Sequence, residues 1–446
     1  MSSSASLPRH FRKLPQRERR DALAALLGPL PEELAGSGDT LALADLLIES
    51  SVGALPVPLG IAAGFLVDGE ELAVPMATEE ASVVAAASFA GRLLAAGGGI
   101  ATESDPPLAT EQIFVPVGGS VDQAADLAAA VRRAGETIRE VVDGCLPSLV
   151  GRGGGFRGLD VAVVPLPPHT AELRHAIRAE VDIDVRDAMG ANMVNTAGER
   201  LRPLMAELCG QPPLMAIVTN ASPRSRVRAR GRVPWSALGC RGHDGRVVAE
   251  RIAAAAAVAA ADRHRAVTHN KGVMNGVTAV VLATGNDTRA VEAAAHGWAA
   301  ANADAGYVPL TTYRLAADAE AIDCAIELPV PLGTVGGTVD PHPVARMALR
   351  LLGSPDSRRL ARIAAAAGLA SNLAALRALV SEGIQPGHMR LHYARQAFAA
   401  GARGGEVEAV ADLLAAAAAR EEATDRNAAA TMLHAVRAGT SGGGRR

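Results

Sequence analysis

Ile113-Phe114-Val115-Pro116-Val117 is the stretch on which the fold turns. Its apolar, β-branched and aromatic residues open a strand, and a new alternation follows it. A helix is expected over 121–142, then the Gly153–Gly155 turn, a strand over Leu159–Val164, a helix over 169–178 and the alternating run Val181–Val185. Strand–helix–strand content from 113 to 219 predicts a compact domain inserted into the chain. On its N-terminal side, residues 17–50 read as short helices and Val52–Val67 as strand and turn. A helix from about Glu80 to Ala96 ends at Gly97–Gly99. On its C-terminal side, Arg224, Arg226, Arg228, Arg230 and Arg232 alternate with small or apolar residues, as in a strand with one solvated face. A helix over 246–262, a strand-like run Val277–Ala283, a helix over 288–301 and the Gly/Pro-rich Pro329–Gly337 come next. Helices fill 341–381, and a separate helical tail begins after Gly383. The expected division is therefore 1–112 and 220–382 as two parts of a large domain, 113–219 as the insertion and 383–446 as the tail.

Composition excludes several classes. A chain of 446 residues supports two or three domains, and at 2% aromatic residues its core must be built from Ala, Val and Leu, with helices packed closely through alanine. A formal charge of -3, with no basic block interleaved with aromatics, argues against a nucleic-acid partner. Cys145, Cys209, Cys240 and Cys324 show no CxxC pairing and read as reduced thiols of a cytoplasmic protein. The N-terminus has no apolar h-region, and the run Ile252–Ala261 is too short to cross a bilayer, so no membrane association is expected.

The chemistry-bearing residues begin with an oddity. Two of the 44 basic residues are lysines, Lys13 and Lys271. Arginine is planar and bulky, whereas lysine is a compact point charge suited to holding an oxyanion in a tight pocket. Lys271 lies in Thr268-His269-Asn270-Lys271-Gly272, which reads as turn-like. Asp287, after Gly285-Asn286, reads as the N-cap of the 288–301 helix and, if close to Lys271, would keep it protonated. Glu79-Glu80 at the start of an apolar helix complements the helix dipole; in a dry pocket beside another carboxylate, Glu80 would become an acid. Asp187-Ala188-Met189-Gly190-Ala191-Asn192 reads as N-cap plus helix start, where free amides favour a phosphate. The glycines do not form GxGxxG, so a Rossmann fold is not expected. His388 and His392 share a helical face but have no third ligand at metal spacing, so no metal is expected; His388 suits a proton donor better.

Read together, these pieces resemble 3-hydroxy-3-methylglutaryl-CoA (HMG-CoA) reductase of the soluble bacterial class II form. The resemblance rests on Glu49-Ser50-Ser51-Val52-Gly53, Glu79-Glu80, Asp187-Ala188-Met189-Gly190, Thr268–Gly272, Ala283-Thr284-Gly285-Asn286-Asp287 and Gly387-His388-Met389, in family order over nearly the whole chain. It implies an α+β / α/β multidomain fold: a large mixed domain interrupted by a small antiparallel, ferredoxin-like cofactor domain, with a C-terminal helical flap. It implies four-electron reduction of HMG-CoA to mevalonate and coenzyme A by two NAD(P)H, through a mevaldyl-CoA hemithioacetal and mevaldehyde. Lys271 would be the oxyanion stabiliser, Glu80 the acid, Asp287 the residue coupling them, and His388 the proton donor to the CoA thiolate. Ser82, Arg265 and Asn275 would hold the hydroxymethylglutaryl group, with Glu49 and Asn220 also at the substrate. Asp187, Met189, Gly190 and Asn192 would serve the cofactor. The acid that NAD-preferring relatives carry before the glycine turn falls here at Cys145 or Leu146, so the expectation leans to NADPH over NADH. A homodimer or higher oligomer with active sites at the subunit interface is implied. Two other readings stand beside this one: the same enzyme run oxidatively on mevalonate, and a catalytically silent CoA- or nucleotide-binding protein. The intact Glu80, Lys271, Asp287 and His388 argue against the latter.

Overall fold

A computed structural model describes residues 13–30, 38–167, 173–240, 242–301, 306–381, 383 and 385–441. The chain enters through α1 (Gln16–Leu27) and α2 (Gly38–Leu47), then forms the hairpin β1 (Leu59–Val67) and β2 (Glu70–Ala77), helix α3 (Val83–Ala96) and strand β3 (Ile100–Ser104). Gly97 ends α3 because the chain must turn there against β-sheet backbone; a Cβ at that position would lie 1.8 Å from the Arg232 carbonyl oxygen.

The insertion follows as β4 (Leu108–Val117), α4 (Val121–Arg133), α5 (Gly135–Cys145), α6 (Pro147–Gly151), β5 (Gly155–Pro165), β6 (His175–Asp184), α7 (Ala191–Cys209) and β7 (Met215–Val218). Its strands pair antiparallel in the order β5-β6-β4-β7, the βαββαβ arrangement of ferredoxin-like domains. Ile113, Val115, Ile177 and Ile183 from the sheet meet Ala128, Ile138, Leu201 and Met205 from the helices in a core of their own. Two expectations need correction here. The helix over 121–142 is two helices that meet at Ala134-Gly135. Of the helix over 169–178, residues 169–172 lie outside the described residues and 175–178 belong to β6. As the central partner of both β4 and β5, this segment satisfies its backbone groups across two ladders.

The chain returns as β8 (Arg226–Pro234), α8 (Trp235–Leu238), α9 (Gly245–Ala261), α10 (Arg263–Ala283), α11 (Thr288–Ala300), β9 (Thr311–Leu315), β10 (Ala321–Pro329), α12 (Pro343–Leu351) and α13 (Ser357–Val380). The large sheet has the order β2-β1-β3-β8-β10-β9. The arginine alternation is a strand as expected: Val227, Ala229 and Val233 are buried, while Arg226 and Arg228 reach Asp105 and Glu327. The run Val277–Ala283, read as a strand, is helical instead. It continues α10, whose buried Ala266, Val273, Met274, Val277, Val280 and Val281 recur at helical spacing. Gly276 permits this packing, since a Cβ there would lie 2.3 Å from the Ala367 carbonyl oxygen of α13. Close packing through alanine and glycine is thus the rule in the large core. Among the described residues, α13 is the one helix long and apolar enough to cross a membrane, but it is buried against α3, α10 and the sheet as a core helix.

The tail forms α14 (Gln385–Ala399), α15 (Gly405–Ala419) and α16 (Arg426–Ser441). Tyr393, Ala397, Leu414 and Leu433 make a third small core.

Candidate functional site

Helix α10 builds one wall of the site. Arg265, Thr268, Lys271, Gly272 and Asn275 recur every three or four residues, so they share a face. That face opens on a cleft of about 460 Å³ whose other walls are the start of α3 and the C-terminal half of α13. Lys271 is therefore not in a turn: it projects from the middle of a helix, its side chain 60% exposed. Gly272 follows it, and a Cβ there would stand 3.5 Å from the Asn372 side-chain amide, an ordinary contact.

Facing Lys271 is Glu80, in the turn between β2 and α3 and not on the helix as expected; α3 begins at Val83. The Lys271 ammonium donates to Glu80 Oε2 in direct contact. The Glu80 amide donates to Thr78 Oγ1 at 3.1 Å, which pins the loop from behind. Ser82 precedes α3 with φ 73°, a left-handed conformation that costs a non-glycine residue energy. Its hydroxyl does not cap the helix, so both the hydroxyl and the first-turn amides are left for an anion entering the cleft. Arg265 lies across the same cleft, well placed to pair with a carboxylate.

A buried polar layer supports this wall. His269, Asn270, Thr311 and Asn372 are at most 2% exposed and pack against the Lys271 turn, His269 and Asn372 reaching the cleft wall. Burial, helped by the positive charge of Arg265, pushes the His269 imidazole down to about 4, so it is neutral. Sequence reasoning missed His269, Ser371 and Asn372. The available signal was the polar pair Ser371-Asn372 interrupting an Ala/Leu run in α13.

Asp287 is the N-cap of α11: its Oδ1 accepts from the Arg289 amide at 2.9 Å and the Ala290 amide at 3.3 Å. Burial works to raise its carboxyl, but hydrogen bonds from the Arg289 side chain and these amides hold it below the usual carboxylate range. It is not brought to Lys271. Twelve helical residues separate Lys271 from Ala283, about 18 Å of axial rise. Asn220 is exposed after β7 and Glu49 is exposed after α2; neither lines the cleft. His388 falls within α14, and its side chain lies outside the described residues. The neighbouring tail does approach the site: Arg395 donates to the Glu79 carbonyl at 3.3 Å, and Gly383 lines the cleft.

The second candidate region is the start of α7. The expectation that Asp187 caps this helix is not met: Gly190 holds the cap position at φ 88°, and no side chain caps it. Asp187 Oδ1 instead accepts from the Ser357 amide at 3.0 Å, and its carbonyl accepts from the Thr334 amide at 2.7 Å. Ser357 Oγ donates to the Arg186 carbonyl at 2.7 Å. The segment is thus fastened to α13 and to the Gly/Pro-rich loop of the large domain. Gly333 is required there, because a Cβ would lie 2.5 Å from the Met189 amide nitrogen. Met189 and Asn192 remain exposed, and the first turn of the helix has no side-chain cap. Among the described residues, no group of three or more His, Cys, Asp or Glu could hold a metal.

Comparison with known proteins bears on both regions. A family model described as hydroxymethylglutaryl-coenzyme A reductase matches residues 15–393. The 3-hydroxy-3-methylglutaryl-coenzyme A reductase of Archaeoglobus fulgidus is 40% identical over 407 residues, 91% of this chain and 89% of that protein. A probable enzyme of the same name from Borreliella burgdorferi is 31% identical over 392 residues, 88% of this chain and 87% of that one. A solved class II 3-hydroxy-3-methylglutaryl-CoA reductase from Streptococcus pneumoniae, bound to NADPH in open conformations, superposes with a TM-score of 0.72 at 34% identity. That match covers 95% of this chain and 100% of the other.

Proposed function

The chain belongs to the hydroxymethylglutaryl-CoA reductase family, and on that premise we propose that the cleft between α3, α10 and α13 is its active site, with Lys271 and Glu80 at the reacting carbonyl. Members are oxidoreductases, and reduction of HMG-CoA to mevalonate with NAD(P)H is the family function. The observation that carries the assignment is the Lys271–Glu80 ion pair at a cleft shared with Ser82, Arg265 and Asn275.

The residues suit the chemistry. Reduction of a thioester and then of an aldehyde develops negative charge twice on one oxygen position. The Lys271 ammonium, fixed by α10, stabilises that charge at both stages without reorganising. Glu80, in contact with Lys271, is placed to relay the proton that each alkoxide takes. Arg265, with the Ser82 hydroxyl and the α3 amides, binds the substrate's terminal carboxylate, and Asn275 offers an amide to its hydroxyl. His388 is the proton donor to the departing CoA thiolate; its helix continues from the chain at the cleft rim, where movement of the tail would admit and release ligands. Reduced nicotinamide supplies the hydride when bound. Its pyrophosphate would lie on the uncapped start of α7 at Gly190–Asn192, with Asp187 and Met189 framing the approach. NADPH is the preferred form in this reading. Leu146 and Cys145 offer no carboxylate to a ribose hydroxyl, whereas Arg152, Arg157 and Arg186 surround the Gly153 turn.

One chain does not complete the site, because Asp287 stands a helix length from Lys271. We assign that role to Asp287 of the partner subunit in a homodimer, with Glu49 and Asn220 at the same seam. Exposed Leu46, Ile48 and Leu55 around Glu49 give the seam apolar surface to bury. The free cysteines and the core position of α13 fit a cytoplasmic protein.

The test is initial-rate measurement with HMG-CoA against NADPH and NADH separately. Two reduced cofactors should disappear per CoA released, faster with NADPH; one per CoA, or none, rejects the reading. For the shared site, mixing Lys271→Arg with Asp287→Asn subunits should regain turnover that neither variant has alone. No recovery in a verified mixed dimer would place the site within one chain.

A further inference from the structure

Packed against the Lys271 turn lies a set of buried polar groups to which the reaction above assigns no role. Asn372 Nδ2 donates to the His269 carbonyl at 3.0 Å, which leaves its Oδ1 as the acceptor. That oxygen accepts from the Thr311 hydroxyl at 2.9 Å and from the Tyr313 hydroxyl at 2.9 Å. A threonine hydroxyl has one proton, here committed to Asn372. At its contact with His269 Nε2, Thr311 must therefore accept, and Nε2–H must donate. A neutral imidazole carries one ring proton, so Nδ1 is bare; it is buried and has no partner. Every proton direction from α10 through β9 to α13 is thereby fixed.

The neighbouring residues are held as well. The Asn270 side chain donates to the Val308 carbonyl at 2.9 Å and accepts from the Leu310 amide at 2.8 Å. Ser371 Oγ donates to the Gly272 carbonyl at 3.0 Å. Within residues 269–272, His269, Asn270 and the Gly272 carbonyl are thus fastened by hydrogen bonds, while the Lys271 side chain projects free of this layer to Glu80. The rest of the α10–α13 contact is apolar and close: Gly276 meets Ala367, and Gly368 meets Val273 and Val277. Apolar burial is non-directional, and the hydrogen bonds add direction at the Lys271 turn.

We propose that His269, Thr311, Tyr313 and Asn372 form a positioning device for Lys271, a hydrogen-bond chain that locks its turn of α10 to α13 and β9. The proposal rests on the reading of Lys271 as the oxyanion holder. The chain of bonds is a matter of structure and can be tested without turnover.

With two lysines in the protein, labelling with [13Cε]lysine gives one resonance for Lys271 and one for Lys13. Thr311→Val keeps the shape and removes the hydroxyl. It should move and broaden the Lys271 resonance and leave that of Lys13 in place. Turnover should fall about tenfold with KM within about twofold, the pattern of lost transition-state alignment. Thr311→Ser should restore both signals. In the wild type, ring 15N spectra assigned by difference with His269→Gln should show a bare Nδ1 and a protonated Nε2. An unmoved Lys271 resonance in Thr311→Val, or an Nδ1-protonated His269, overturns the proposal. If Thr311→Val does not fold, Tyr313→Phe takes its place with the same two criteria. A wild type inactive on HMG-CoA would reject the functional reading, while the two spectra would still decide the positioning chain.

Discussion

One buried polar site in the large domain and one in the insertion, the layer at Lys271 and Glu111, are built in opposite ways. At Lys271, the side-chain amides and hydroxyls of Asn270, Thr311, Tyr313 and Asn372 have partners, leaving His269 Nδ1 as the bare atom of the layer. In the insertion, Glu111 is 0% exposed, and neither carboxyl oxygen has a partner. Burial, with a smaller push from the Glu199 charge, raises its pKa to about 8, so it stays a neutral acid under ordinary conditions. Its Oε1 occupies the space beneath Gly198 of α7, where a Cβ would lie 1.8 Å away. Paired burial fixes a geometry that chemistry can use. Unpaired burial is survivable only through protonation, and it leaves the domain with a stability that depends on pH.

The largest effect should come from the paired side. Lys271→Arg keeps the charge but replaces a compact ammonium with a planar fork that cannot occupy the same point against Glu80. Turnover should fall by roughly 10³-fold, the scale on which a lost oxyanion donor acts, while the thermal midpoint stays near that of the wild type. Retention of more than a tenth of turnover would remove Lys271 from the chemistry. The layer packed against its turn would then have no functional meaning.

The unpaired side should show itself in stability. Folding raises the Glu111 pKa from 4.5 to about 8, so the folded protein keeps a proton that the unfolded chain loses. Its contribution is fully present below the unfolded value and is lost as pH rises through the folded one. Glu111→Gln should therefore gain on the wild type as pH rises from 5 to 8.5, by roughly 4 kcal/mol over that range. Urea unfolding at the two pH values measures this; parallel curves would mean that Glu111 is ionised or solvated in the fold. The contact with α7 gives a second handle. Gly198→Ala alone should destabilise by about 2 kcal/mol through overpacking, and the double variant with Glu111→Ala should recover most of that. Simple additivity would deny that the two residues share one space.

The same contrast explains what could be read from the sequence. The insertion was legible because β4 and the end of β6 alternate and the glycine turn at Gly153–Gly155 punctuates them. Its segment His175–Arg178 misled because it does not alternate: Ala176 and Ile177 are buried side by side between the partly exposed His175 and Arg178. Lys271 was legible by rarity, but its helix was not. Gly272 and Gly276 look like breakers locally, and only the approach of α13, invisible in one dimension, shows Gly276 to be a spacer. Asp187 and Glu80 were misplaced for a related reason. Each resembles a helix-start acid, yet tertiary partners, the Ser357 amide and Lys271, claim the carboxylate first. The positioning layer was not legible because its bonds join residues 42 and 61 positions apart.

The smallest effect separates structure from chemistry at Asp287, the one acid whose cap role was read correctly from sequence. Its carboxylate satisfies two amides at the start of α11. Asparagine caps a helix about as well as aspartate, whereas alanine cannot. Asp287→Ala should therefore lose about 1 kcal/mol of stability, and Asp287→Asn no more than a few tenths. The Arg289 pair is too exposed to add much, since the arginine side chain is 90% accessible. Equal losses in the two variants would mean that the charge, through the pair or the helix dipole, holds this turn. In that case Asp287 would resemble Glu111, an acid explained by its own domain, and its claim on the cleft of a second subunit would weaken. With the asparagine variant stable, any change in its turnover reports on the carboxylate's charge alone.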